Sequence, residues 1–116
     1  MAVRRRYKPA EGGEYQEVID LGKLIIHLTR QNIVFNGREI ELTRNQWLLL
    51  CELAHNIENI VPYEDLLARV WGPEFHDDFP LLRTEISRLR KKLLTCHDID
   101  LIHAIPKRGY ILRKPS

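Results

Sequence analysis

Short apolar runs separated by turn residues occupy the chain from Val18 to Thr43. The runs read VIDLG, KLIIHL, NIVF and REIEL, and Asn36-Gly37 separates the last two. Asn-Gly between two apolar runs is a strong signal for a two-residue β-hairpin turn. This region is therefore predicted to form a small antiparallel sheet. By contrast, residues 1–16 are polar and contain Pro9, Gly12 and Gly13, so they are predicted to be a linker without regular structure.

Helical spacing of apolar residues begins after Thr43. Thr43 and Gln46 have the spacing of a capping box. The predicted core face of this first helix consists of Trp47, Leu50, Cys51 and Ala54. A second, short helix is predicted from about Tyr63 to Trp71, where Gly72-Pro73 ends it, with Leu66, Leu67 and Val70 buried.

A third helix is predicted from about Pro80 to Leu94, because proline suits a first helical turn and an apolar stripe follows. The stripe consists of Leu82, Ile86, Leu89 and Leu93. After it, LIHAI and YIL read as two strands joined by a turn in which Gly109 is predicted to supply a positive φ. The order of sheet, three helices and hairpin predicts an α+β domain over residues 17–116.

The charge of the chain is unevenly distributed, although the net charge is only +2. Residues 1–8 hold four basic side chains and no acid, and residues 9–78 hold five basic and thirteen acidic ones. Residues 79–116 hold nine Lys or Arg against three acids. This segregation favours a polyanionic partner for the C-terminal third, and a solvated charged face is the alternative.

The face of the third helix opposite its apolar stripe is centred on Thr84, Arg88 and Lys91. An α-helix fits the major groove of DNA, where Arg can donate two hydrogen bonds to guanine and Glu can accept one from cytosine. Lys91 and Lys92 at the helix end are expected to contact phosphate. The Pro106–Gly109 turn can bring Lys107 and Arg108 to an adjacent groove, as the wing of a winged helix-turn-helix does.

Four motifs together resemble the winged-helix effector domain of OmpR/PhoB-type transcription factors. They are LTRNQWLLLCELAHN, VPYEDLLARVWG, ISRLRKKL and IHAIPKRGYIL, within about residues 18–113. The resemblance implies a winged helix-turn-helix: an N-terminal four-stranded antiparallel sheet, a three-helix bundle and a C-terminal β-hairpin wing. The third helix is then expected in the major groove and the wing in the minor groove.

The family's groove-facing positions fall on Leu81, Thr84, Glu85 and Arg88, and its frequent phosphate contacts on Ser87, Arg90 and Lys91. Loop 72–79 matches a segment that contacts RNA polymerase in some members. This chain has Pro62 where the family often has a Ser or Thr helix cap. Pro80, Leu81 and Arg83 replace common Arg, Thr and Asp, and Pro106 replaces a common wing Arg. The DNA sequence read by this chain is therefore expected to differ.

The N-terminal AVRRRYKPAEGG resembles the end of a receiver domain followed by a linker, which implies a two-component response regulator. A ToxR-like one-component regulator is the alternative. The resemblance also predicts that the domain is monomeric alone and that two copies bind tandem half-sites on promoter DNA.

Other classes of function have little support in the sequence. The segment PEFHDD has one His beside carboxylates but lacks the spaced ligands of a metal site, and no catalytic motif or cofactor-binding loop occurs. Cys51 and Cys96 are expected to be reduced and structural. No apolar run is long enough for a membrane span, and the basic start MAVRRRYK is not followed by the apolar segment of a signal peptide, so the chain is expected to be soluble and cytoplasmic. A winged helix that binds protein instead of DNA remains an alternative, since fold does not determine function.

Overall fold

The computed structural model describes residues 4–9, 15–22, 24–94 and 100–114. The chain divides into two units, of which the first lies within residues 1–41 and the second spans Leu42–Lys114.

The first unit contains an antiparallel meander of five strands. The strands are β1 Arg4–Pro9, β2 Tyr15–Leu21, β3 Leu24–His27, β4 Asn32–Phe35 and β5 Arg38–Ile40, paired in chain order. The predicted antiparallel sheet is confirmed in β2 to β5. The Asn36-Gly37 turn is confirmed as well, because its two residues have φ of 52° and 84° and connect Phe35 to its partner Arg38. Two consecutive positive φ values are what a type I′ hairpin turn requires.

Strand β1 corrects the prediction that residues 1–16 have no regular structure. It pairs with β2 from Arg4 opposite Asp20 to Pro9 opposite Tyr15. The prediction rested on the polarity of the side chains in this segment. Strand pairing instead satisfies backbone N–H and C=O groups at the edge of a sheet, and a polar sequence can do this as well as an apolar one.

The second unit contains the three predicted helices. They are α1 Arg44–His55, α2 Tyr63–Trp71 and α3 Phe79–Leu94, with a 3-10 turn at Pro73–Phe75. The capping box of α1 is confirmed: Thr43 Oγ1 accepts the Gln46 N–H at 3.3 Å, and Gln46 Oε1 accepts the Thr43 N–H at 3.0 Å. Pro62 precedes α2 without a side-chain cap.

The core of the second unit lies between the three helices and strand β8, Gly109–Leu112. Its fully buried side chains include Leu49, Leu50, Leu53, Leu66, Leu67, Leu82, Ile86, Leu89 and Leu93. The predicted burial of Cys51 and Val70 is wrong, because both are half-buried. Helix α1 contacts α2, α3 and β8, so its buried arc is wider than one stripe and includes Leu49 and Leu53. Cys96 lies outside the described residues.

The predicted C-terminal hairpin is confirmed and belongs to a three-stranded sheet. It consists of β7 Ile102–Ile105 and β8, and β8 also pairs with a short strand, β6 Val61–Pro62. The prediction that Gly109 supplies a positive φ is wrong, because Lys107 has the positive φ, 65°. Glycine is needed at position 109 for a steric reason, because a Cβ there would lie 2.0 Å from the Val61 carbonyl oxygen.

Candidate nucleic-acid interface

Helix α3 has a buried stripe on one side and a charged, exposed surface on the other. Leu82, Ile86, Leu89 and Leu93 form the stripe, as predicted. Thr84, Ser87, Arg88 and Lys91 are exposed, and Leu81 is half-buried. The helix start is stabilised by Asp78, whose Oδ1 accepts the Leu81 N–H at 3.4 Å. The sixteen residues of α3 thus form one continuous helix whose exposed face is polar and basic.

Arg88 is an exposed cation of this face and is paired with Glu85, three residues earlier in the helix. Arg88 Nη1 lies 3.3 Å from Glu85 Oε1, and the two side chains are 63% and 16% exposed, respectively. A surface ion pair of this kind contributes only about 0–1 kcal/mol. Arg88 can therefore leave Glu85 for a stronger acceptor at little cost.

Two other predicted site residues use their charged groups within the protein. Arg90 Nη2 lies 2.6 Å from Asp100 Oδ2, and Lys92 Nζ donates to Gln46 Oε1 at 2.7 Å. Gln46 is buried, and the same oxygen accepts the Thr43 N–H of the α1 capping box. Both cations are half-buried and connect the C-terminal half of α3 to other elements, whereas Lys91 between them is exposed.

The turn between β7 and β8 carries the second group of cations. Lys107 and Arg108 are both exposed. The turn is closed by the Arg108 N–H, which donates to the Ile105 carbonyl at 3.0 Å. The structure therefore places both predicted wing residues at the tip of a hydrogen-bonded hairpin.

An aromatic cluster that the sequence pattern did not predict lies beside this hairpin. The Tyr63 ring packs edge-on against Phe79 and Tyr110, with centroid distances of 5.8 Å and 5.5 Å. The Tyr63 hydroxyl donates to the Ile105 carbonyl at 3.0 Å. Burial raises the pKa of Tyr110, and the nearby Tyr63 raises it further. Aromatic residues so far apart in the sequence carry no periodic signal that could have predicted the cluster.

Loop 72–79 combines acidic and aromatic exposed side chains. Helix α2 ends at Trp71, before Gly72, as predicted, and Gly72 has φ of 120°. Phe75 and Phe79 are 37% and 40% exposed, and Glu74, Asp77 and Asp78 lie nearby in the sequence. Among the described residues, no three His, Cys, Asp or Glu side chains are grouped as metal ligands would be. No helix in the described part of the chain has the length and apolar character of a membrane span.

Comparison with known proteins identifies the family. Residues 37–112 match the model of the family described as "Transcriptional regulatory protein, C terminal". The transcriptional regulatory protein KdpE of Staphylococcus aureus is 34% identical over 91 residues, which are 77% of this chain and 39% of KdpE. The response regulator MprA of a Mycobacterium species is 31% identical over 113 residues, 97% of this chain and 49% of MprA. The chain thus spans less than half the length of these relatives.

A solved structure gives the same result for the fold. The DNA-binding domain of Klebsiella pneumoniae RstA, determined in complex with the RstA box, superposes with a TM-score of 0.74 and 27% identity. The match covers 84% of this chain and 98% of that one. The chain therefore belongs to the family of C-terminal domains of transcriptional regulatory proteins, and it has the winged-helix fold of OmpR/PhoB-type DNA-binding domains.

Proposed function

We propose that this chain binds double-stranded DNA in a sequence-specific manner, as the effector domain of a bacterial transcriptional response regulator. The observation that supports this most directly is the exposed polar face of α3, in the same structural unit as the exposed cations of the β7–β8 turn. A helix with an outward Arg and a basic hairpin are the two elements by which a winged helix binds adjacent grooves.

In this proposal α3 enters the major groove. Arg88 donates to guanine after leaving Glu85, which can then accept from cytosine, and Thr84 and Leu81 contact a thymine methyl group. Ser87 and Lys91 contact phosphate, which sets affinity and orientation without reading sequence. Lys107 and Arg108 of the wing reach the minor groove or its phosphates.

Arg90 and Lys92 have a different role in the proposal. Their charged groups are 2.6 Å from Asp100 and 2.7 Å from Gln46. We assign both mainly to holding α3 in place. Their positive charge still contributes to the attraction of DNA over longer distances.

The proposal includes partners of the whole protein. In the full-length protein, the partners of this domain are a receiver domain and, through loop 72–79, RNA polymerase. Two copies occupy tandem half-sites on DNA, while the isolated domain is a monomer. No enzymatic activity is assigned. Because the proposed ligand is promoter DNA of a bacterium, we place the protein in the cytoplasm.

The experiment that tests the function is a selection of binding sites from random duplex DNA. The enriched duplex is then titrated against a scrambled one at several salt concentrations. Enrichment of a direct repeat with half-sites about one helical turn apart is expected. Equal affinity for both duplexes, with a steep dependence on salt concentration, would show only nonspecific binding of DNA by a basic surface. Absence of any binding would favour the protein-interaction module.

Variants of α3 test the assigned roles. Arg88→Ala is expected to weaken binding to the enriched site by about 1–3 kcal/mol and to relax preference at one base pair. Lys91→Ala is expected to weaken all sequences alike and to lower the salt slope by about 0.9. The matched control is Arg69→Ala on α2. The Arg69 side chain is 50% exposed, and its Nη1 lies 3.0 Å from Glu52 Oε2, so it resembles Arg88 in exposure and in its ion pair. An unchanged base preference in Arg88→Ala would show that the major-groove assignment is wrong.

A further inference from the structure

The carbonyl oxygen of Ile105 accepts two hydrogen bonds from different parts of the second unit. One donor is the Arg108 N–H, which closes the turn that carries Lys107 and Arg108. The other is the Tyr63 hydroxyl at 3.0 Å, from a residue 42 positions earlier at the start of α2. A helix residue is thus bonded directly to the turn of the wing.

The ring of Tyr63 also contacts helix α3 and strand β8. It packs edge-on against Phe79, the first residue of α3, and against Tyr110 in β8. Edge-to-face pairs with centroids 5.5 Å and 5.8 Å apart lie in the favourable range for aromatic packing. Tyr63 therefore touches the start of the recognition helix and both strands of the wing hairpin.

We propose that Tyr63 is a positioning residue for DNA binding, which fixes the wing turn relative to the start of α3. This inference rests on the proposed DNA-binding function. A two-element interface binds well only when both elements already have the correct separation, because ordering a loop during binding lowers affinity. At the turn end of the hairpin, β6 pairs with β8 at two positions, and the Tyr63 hydroxyl adds a side-chain hydrogen bond to the Ile105 carbonyl there.

The substitution that isolates the hydroxyl is Tyr63→Phe. It keeps the ring and its packing against Phe79 and Tyr110, so the domain is expected to fold with a thermal midpoint close to that of the unsubstituted protein. Loss of one hydrogen bond is expected to weaken binding to the selected DNA site about two- to tenfold. Tyr63 itself makes no DNA contact in this proposal.

A double-mutant cycle distinguishes action through the wing from a general structural effect. In a Lys107→Ala, Arg108→Ala background, Tyr63→Phe is expected to have almost no further effect on affinity, because the cations that it positions are gone. In an Arg88→Ala background, its full two- to tenfold effect is expected to remain. Equal effects of Tyr63→Phe in both backgrounds would overturn the proposal.

A measurement without DNA separates failure of the inference from failure of the proposed function. Hydrogen exchange of the Arg108 amide is expected to be about two- to tenfold faster in Tyr63→Phe. The Arg113 amide, which donates to Leu101 at the other end of the hairpin, is the internal reference. Unchanged Arg108 exchange, or faster exchange with unchanged DNA affinity, would overturn the inference. Absence of DNA binding by the unsubstituted protein would instead contradict the proposed function.

Discussion

Replacing Gly109 with alanine tests the close approach of β8 to β6. A Cβ at this position would lie 2.0 Å from the Val61 carbonyl oxygen, 2.8 Å from the Val61 carbonyl carbon and 3.0 Å from Pro62 Cα. All three atoms belong to the backbone, so no side chain can rotate away to make room. The two strands must separate by more than 1 Å, an estimate that follows from an ordinary contact distance of about 3.5 Å.

The expected cost follows from what the separation breaks. Overpacking in a tight site costs about 1–3 kcal/mol. The β6–β8 pairing consists of Val61 opposite Tyr110 and Pro62 opposite Gly109, and loss of its hydrogen bonding adds about 1 kcal/mol. Gly109→Ala is therefore expected to lower the free energy of unfolding by about 2–4 kcal/mol. Urea unfolding followed by circular dichroism measures this, and the thermal midpoint is expected to fall by on the order of 10–20 °C.

Gly37 provides the control, because its requirement for glycine is conformational. It has φ of +84°, and a Cβ added there would have no atom within 4 Å apart from those of Gly37 and its two chain neighbours. Gly37→Ala is expected to cost about 1–2 kcal/mol, and Gly37→Asn less, since Asn tolerates positive φ. Gly109→Asn should be no better than Gly109→Ala, because the clash remains. A Gly109→Ala protein within about 0.5 kcal/mol of the unsubstituted one, or rescue by Asn, would refute the steric reasoning.

Three further outcomes are expected. Thr43→Ala removes the oxygen that accepts the Gln46 N–H and should lower the free energy of unfolding by about 1 kcal/mol, whereas Thr43→Ser should not; equal urea midpoints for the two would contradict the capping role. Lys92→Ala should destabilise the domain by about 1–2 kcal/mol, because it breaks the hydrogen bond to Gln46. Lys91→Ala should leave the urea midpoint unchanged, because Lys91 is exposed. A larger loss of stability in Lys91→Ala than in Lys92→Ala would refute the structural role assigned to Lys92. Burial and the nearby Glu52 raise the pKa of the Cys51 thiol to about 12 from an ordinary 9.0. At pH 8 the thiolate fraction of Cys51 should therefore be on the order of a thousandth of that of an ordinary cysteine. Alkylation of Cys51, followed by peptide mapping, should be far slower in the folded chain than in the urea-unfolded chain. Equal alkylation rates would contradict the burial argument.

Much of the candidate interface could be predicted from the sequence because it depends on one helix. The apolar stripe of α3 repeats at three and four residues, and this spacing also determines that Thr84, Arg88 and Lys91 face outward. Other site details could not be predicted in this way. The bond of Lys92 to Gln46 joins residues 46 positions apart, and that of Arg90 to Asp100 joins a helix to the segment before β7.

The sequence by itself determined the features that depend on neighbouring residues. The capping box at Thr43, the Asn36-Gly37 turn and the end of α2 at Gly72 involve hydrogen bonds or backbone conformations within a few residues. Only the tertiary structure decided the features that depend on distant neighbours. Strand β1 required pairing with β2, and Gly109 is needed because β6 approaches it. Tyr63 meets the wing only after α2 and the hairpin have packed, because no local spacing encodes a contact across 42 residues.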